Sequence, residues 1–339
     1  MMTKRLYRTL IITSIIVLTI YYAGNVLMPL IFSGFCAMFV HPLVKRFESI
    51  GLPLVASSLI VVLLLVIVVG TIISLFIYEG TGIIQELPMF GVQEVMENPV
   101  DAIDKKVAIN LESYREHIFS AVASFKEKVI AIIPETIINI NNAIIFMVSC
   151  PIYIFFMLIS RSSIRKFYYT SFENKRQHMG NEILNEIEHV YIQYLKGLSY
   201  VMMIVATLTS IGLLALGIDY AIFIGILAGL LTLVPYVGVI ISAAIPVAIA
   251  VLTKDSLWYA LGVVGIFAVV QFLEGNFITP KIMGGQVEVN PLMVIVGIVI
   301  FGAIGGIVGM ILTIPILALL KIIAKYVPGW KPLENLLSV

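Results

Sequence analysis

The sequence predicts an all-α integral membrane protein with about eight membrane helical segments, six of them full spans and the rest two broken or re-entrant hairpins. Three observations predict it. The chain of 339 residues is 60% hydrophobic and 12% charged, against roughly 25% charged in an ordinary soluble domain. Apolar stretches recur near 9–23, 26–43, 54–78, 137–159, 190–217, 219–234, 237–252, 257–273, 291–303 and 306–324. In the last third these stretches fill with glycine and proline and become short for the roughly 20 residues a helix needs to cross the hydrocarbon core.

The net charge of +1 points to neither nucleic acid nor a strongly acidic partner. Cys36 and Cys150 both sit in apolar runs and read as small embedded hydrophobes rather than a disulfide. Lys4, Arg5 and Arg8 precede the first apolar stretch. No small-residue cleavage pattern follows, so the segment is expected to be a retained span. Gly24, Asn25 and Pro29 break the run up to 43, and the first two segments read as a tight helical hairpin.

Lysine and arginine in short loops mark the cytoplasmic side. Lys4, Arg5 and Arg8 come before span one, Lys45 and Arg46 follow span two, and Arg161, Arg165, Lys166, Lys175 and Arg176 follow span four. Alternation places these groups together, with both termini cytoplasmic. The domains expected are 1–79 with three spans, an extracytoplasmic helical insertion at 80–136, and a membrane region at 137–339. The last region contains a cytoplasmic helix at 161–189 and a transport core at 190–325.

The 79–136 stretch holds ten acids against five bases. Asn98-Pro99 reads as a helix start. Apolar residues from Val100 to Val129 then step by 3, 4 and 4, the spacing of a nearly straight helix. Packing of that stripe on the protein and a partner-binding arm are both open. The segment at 161–189 mixes bases and acids with Phe167, Tyr168, Tyr169 and Phe172 and reads as an interfacial helix. From Asn181 a helix is expected to run unbroken into span five.

Residues 219–252 form two apolar halves split at Pro235-Tyr236-Val237-Gly238, and 291–324 form two more split at Gly302–Gly306. Full crossing and re-entry are both open for each pair; their short halves favour re-entry, and as hairpins one would enter from outside and the other from inside, a pattern expected of inverted-repeat transporters. Irregular backbone at membrane depth survives only where protein covers it or water fills a cavity. Gly302, Gly305, Gly306 and Gly309 are equally readable as close helix packing.

Between the hairpins lies QFLEGNFITPKIMGGQ, 271–286. Gln271 and Glu274 are three apart and share a helix face. Glu274 is expected one residue past the end of its span, either solvated there, with Lys281 a candidate partner, or serving as a polar or proton-coupling group with Gln271 and Asn276. Pro280 and Gly284 are expected to turn the chain, and Pro291 and Pro315 are expected at a hinge or turn. Asp219 reads as solvated. No histidine spacing suits a metal, and neither a P-loop nor a metalloprotease or serine-hydrolase motif occurs. No cofactor, metal site or enzyme activity is expected.

Three runs carry a resemblance: LVPYVGVIISAAIPVAIAVL, QFLEGNFITPKIMGG and NPLMVIVGIVIFGAIGGIVGMILTIPILALLK. YIQYLKG, LGIDYAIFIGILAGLL and HPLVKRFE extend it. The chain resembles the autoinducer-2 exporter family of bacterial permeases over nearly its whole length. The resemblance implies a multi-pass inner-membrane permease and marks Pro235, Tyr236, Gly238, Glu274, Gly275, Asn276, Pro280, Gly284, Pro291 and Pro315 as characteristic. The function expected is export of a small polar solute such as autoinducer-2 by a gradient-driven secondary transporter; the alternatives are sodium/proton antiport and, from the outer helix and the basic cytoplasmic segment, a non-transporting scaffold or sensor. The expected partners are the lipid bilayer, the solute or ion, and further copies of the chain in a homo-oligomer.

Overall fold

The computed structural model describes residues 2–86, 144–170, 177–254, 256, 258–284, 289–327 and 329–338. Every element of secondary structure among them is helical: α1 (Met2–Ser49), α2 (Leu54–Glu86), α3 (Ile144–Ile159), α4 (Arg161–Thr170), α5 (Gln177–Ala215), α6 (Ala221–Leu231), α7 (Val237–Thr253), α8 (Trp258–Leu273), a π turn (Glu274–Ile278), α9 (Thr279–Met283), α10 (Pro291–Tyr326) and α11 (Lys331–Leu337). The helix expected at 99–133 lies outside the described residues.

By length and composition Val26–Ser49, Leu54–Ile83, Met179–Ala215, Trp258–Met283 and Pro291–Tyr326 could each cross a membrane. Ile144–Ile159 with Arg161–Phe167 forms a further stretch bent by 67°. Ile67 is 62% exposed and Ile240 72%. Surface of that kind calls for lipid as its solvent.

The hairpin expected within residues 9–43 does not form, because α1 runs through Gly24, Asn25 and Pro29 as one helix. A reversal would expose several backbone groups to hydrocarbon, whereas a proline costs one internal hydrogen bond. Lys4 and Lys45 therefore sit at opposite ends of α1, about 60 Å apart at 1.5 Å per residue. Unbroken continuation into span five does hold, since α5 extends over 39 residues.

The chain divides into two compact units. The first comprises Met1–Ile67, Asn142–Lys196 and Met283–Val339. Its core joins Val40, Val44, Val61, Ile154 and Leu158, then Met28, Phe35, Tyr191 and Leu312, then Val294, Leu317 and Leu337. Cys36 and Cys150 are free thiols in this unit. The second comprises Val68–Asn141 and Gly197–Ile282, with a core of Leu213, Ile224, Ala228, Ile249, Ala250, Val263 and Phe267.

Candidate functional site

In the second unit α6 and α7 double back on each other. Ile224 and Ala228 of α6 share a core with Ile249 and Ala250 of α7. At the open end Asp219 is exposed to solvent, as expected, and its Oδ2 also lies 3.3 Å from Lys254 Nζ in a surface ion pair. At the closed end the Val237 N–H donates to the Pro235 carbonyl at 2.7 Å, across Tyr236 at φ 63 and ψ −50. That bond closes a γ-turn of the strained, positive-φ kind. A β-carbon on Gly238 would strike the Leu231 carbonyl oxygen, which explains glycine there. Pro235, Tyr236 and Gly238 thus form one hairpin tip.

Further along this unit, α8 does not end at Leu273. It passes through the π turn and continues to Met283. Glu274 is therefore within the helix rather than beyond its end. Pro280 does not turn the chain either; it lies inside α9. Proline has no N–H to donate four residues back, and its ring crowds that carbonyl. A widened turn just before it relieves both problems, and the Thr279 N–H bonds instead to Glu274 O, five residues back. Gly284 is an exposed turn residue.

The Glu274 carboxylate is clamped by its own helix. Gln271 Nε2 donates to Oε2, and Thr279 Oγ1 donates to Oε1 at 2.6 Å. Both donors are uncharged, and neither is the Lys281 considered from the sequence. Asn276 turns away and donates to the Phe272 carbonyl at 2.9 Å. Thr279 was not legible as a site residue, because five positions separate it from Glu274 and only a π turn puts them on one face.

The first unit contains the second doubling. α10 is 36 residues long, but Gly306 has φ 58 and ψ −139 and folds it. A β-carbon on Gly297 would come 2.7 Å from Thr313 Cγ2, and one on Gly309 would strike the Phe301 carbonyl oxygen. The two arms are therefore packed antiparallel, and α10 is not one straight span. Gly305 rests on Met28 of α1, where a β-carbon would stand 2.7 Å from Cγ. Packing thus explains Gly305 and Gly309, and backbone conformation explains Gly306. Pro291 and Pro315 both lie within α10, at its first residue and in its returning arm. Pro291 opens α10 behind Asn290, whose side chain accepts from the Leu292 N–H at 3.0 Å, and Pro315 is buried within the returning arm.

Polar side chains gather at one end of this unit. Arg161 Nη2 contacts both Glu48 oxygens at 2.6 and 2.7 Å. Lys325 Nζ reaches Glu186 at 2.8 Å, and the Tyr326 hydroxyl donates to the same carboxylate at 2.6 Å. His41 Nδ1 lies 3.9 Å from Glu188. Nearby, Phe35, Tyr191, Tyr194, Pro315 and Ile322 line a small, largely apolar crevice. Among the described residues no group of acids, histidines and cysteines has the arrangement of a metal site.

Comparison with known proteins places the chain among transport proteins. The family profile described as AI-2E family transporter matches residues 10–329. YrrI of Bacillus subtilis (strain 168), named only as a candidate transport protein, is 23% identical over 88% of this chain and 85% of its own. YhhT of Escherichia coli (strain K12), named in the same terms, is 24% identical over 96% of this chain and 91% of its own. The AI-2 transport protein TqsA of Escherichia coli (strain K12) is 24% identical over 96% and 92%. Its helices and its relatives make the chain a multi-pass membrane transporter, and it belongs to the AI-2E transporter family.

Proposed function

We propose that the chain is a gradient-driven secondary transporter that exports a small polar solute of the autoinducer-2 kind across the bacterial inner membrane. The observation that carries this reading is a doubled helix in each unit, closed at Pro235-Tyr236 in one and at Gly306 in the other. Such tips need protein cover or an aqueous cavity at membrane depth. On this reading α6–α7 re-enters from the outer face and α10 from the cytoplasmic face, with Gln271, Glu274 and Asn276 at the polar pathway. The relative named as an AI-2 transport protein supports the substrate class.

The end of the first unit carrying Lys45, Arg46, Arg161, Arg165, Lys166 and Lys325 is assigned to the cytoplasm by the positive-inside rule, and the carboxyl terminus goes with it. With α1 unbroken, five crossings and two hairpins replace the eight segments expected, and the rule no longer places the amino terminus on that side. Exposed apolar faces leave room for lipid and for copies of the chain, so a homo-oligomer belongs to the proposal.

A cation/proton antiporter is the second reading. It is favoured by a carboxylate held by two neutral side-chain donors, Gln271 and Thr279, as an exchangeable ion would require. Proteoliposomes containing the full chain separate the two. Efflux of loaded autoinducer-2 that collapses in Glu274→Gln and Gly305→Leu supports export. Sodium-driven acidification lost in Glu274→Gln supports antiport instead. Flux of both kinds indifferent to both substitutions removes the site.

A further inference from the structure

We infer that α4 and the end of α1 form a docking surface for anionic phospholipid headgroups. Helix α4 leaves α3 at 67°, so it lies across the direction of that membrane-length helix. Its sequence divides by face. Ile164 and Phe167 are three apart and adjacent on the helix surface, 53% and 74% exposed. Arg161 and Arg165, four apart, border that apolar arc on one side, and Lys166 borders it on the other. An apolar arc bordered by bases is the pattern of a helix seated at the headgroup boundary.

A second element brings more positive charge to the same place. The Arg161–Glu48 pair fixes the start of α4 against the end of α1. It also neutralises Glu48, the nearest acid on α1. Lys45 and Arg46, one turn before it, are exposed, as are Arg165 and Lys166. Among the described residues none of these four bases has an ion-pair partner. The surface is thus positive, carries exposed apolar side chains beside the charge, and continues directly from helices α1 and α3. A diacyl anionic lipid satisfies all three features: its phosphate meets the bases and its chains meet Ile164 and Phe167. Free phosphate would use only the charge.

The test is retention of lipid by the full-length protein in detergent, read by native mass spectrometry and thermal unfolding during titration with phosphatidylglycerol, phosphatidylcholine or inorganic phosphate. Phosphatidylglycerol should bind and raise the melting point, and phosphatidylcholine should do so far less. Arg165→Gln/Lys166→Gln and Lys45→Gln/Arg46→Gln should each weaken phosphatidylglycerol binding about tenfold, given the strength of single bases near anionic membranes. The charge-retaining pair Arg165→Lys/Lys166→Arg should bind like the parent, which separates loss of charge from loss of fold. Equal affinity for the two lipids, unchanged binding in both glutamine variants, or displacement of phosphatidylglycerol by inorganic phosphate alone would each overturn the assignment.

Discussion

Thr279 donates its hydroxyl to Glu274 Oε1 at 2.6 Å from five positions further along the same helix. In an α-helix five residues advance about 500°, leaving the two side chains about 140° apart and unable to meet. The π turn at Glu274–Ile278 removes that offset. Substituting Thr279→Val keeps the shape and deletes the donor. A hydrogen bond to a charged group contributes about 1.5–3 kcal/mol, so solute flux in proteoliposomes should fall about tenfold or more. Thr279→Ser should retain most of it. Parental transport by the valine variant would show the clamp to be idle.

Pro280 is the physical reason for that turn. In Pro280→Ala the amide can again donate to the Asn276 carbonyl, and the π turn is free to relax to α. The helix should then become more stable, by about 1 kcal/mol, a fraction of the interior proline penalty. Thr279 would swing off Glu274, so flux should drop as stability rises. Combining Pro280→Ala with Thr279→Val should lower flux no further than either alone, because both remove one contact. Additive losses would separate the proline from the carboxylate.

These two residues also mark where the sequence stops being readable. The hairpins were legible because Pro235-Tyr236-Val237-Gly238 and Gly302–Gly306 interrupt apolar runs at lengths that suit arms better than spans. The start of α1 misled for the same reason: Gly24, Asn25 and Pro29 look like a break, but breakers report local weakness and not the cost of a lipid-exposed reversal. Thr279 was invisible because amphipathic reasoning assumes 3.6 residues per turn. The Asp219–Lys254 pair joins residues 35 apart and follows only once α6 and α7 are known to double back.

Tyr236 stores strain at its hairpin tip. Its φ of 63 and ψ of −50 are poorly tolerated by a residue with a β-carbon, and such positions cost about 1–3 kcal/mol. The ring is 58% exposed, so removing it sacrifices little packing. Tyr236→Gly and Tyr236→Ala lose the same ring, but only glycine relieves the backbone. Thermal unfolding should rank glycine above alanine by about 1 kcal/mol or more, even after glycine's entropic cost. Alanine equal to or above glycine would mean that no γ-turn closes this hairpin.

The doubling of α10 makes the sharpest demand on the structure. In a straight helix Gly302 and Met310 lie about 12 Å apart along the axis, beyond the reach of a disulfide, which needs Cα atoms within about 7 Å. Here a β-carbon on Gly302 would stand 3.1 Å from Met310 Cγ. With Cys36 and Cys150 replaced by alanine, Gly302→Cys/Met310→Cys should therefore lose thiol labelling on mild oxidation. Gly309→Ala gives the independent check. Its β-carbon would meet the Phe301 carbonyl oxygen, a rigid backbone atom that cannot rotate aside, so the arms must separate. A loss of about 2 kcal/mol or more is expected from overpacking of that kind. Gly275→Ala, with no neighbouring atom within 4 Å, should instead be neutral or gain up to about 1 kcal/mol. Persisting thiol labelling together with a benign Gly309→Ala would mean that α10 is straight, and the pair of doubled helices on which the transport reading rests would be reduced to one.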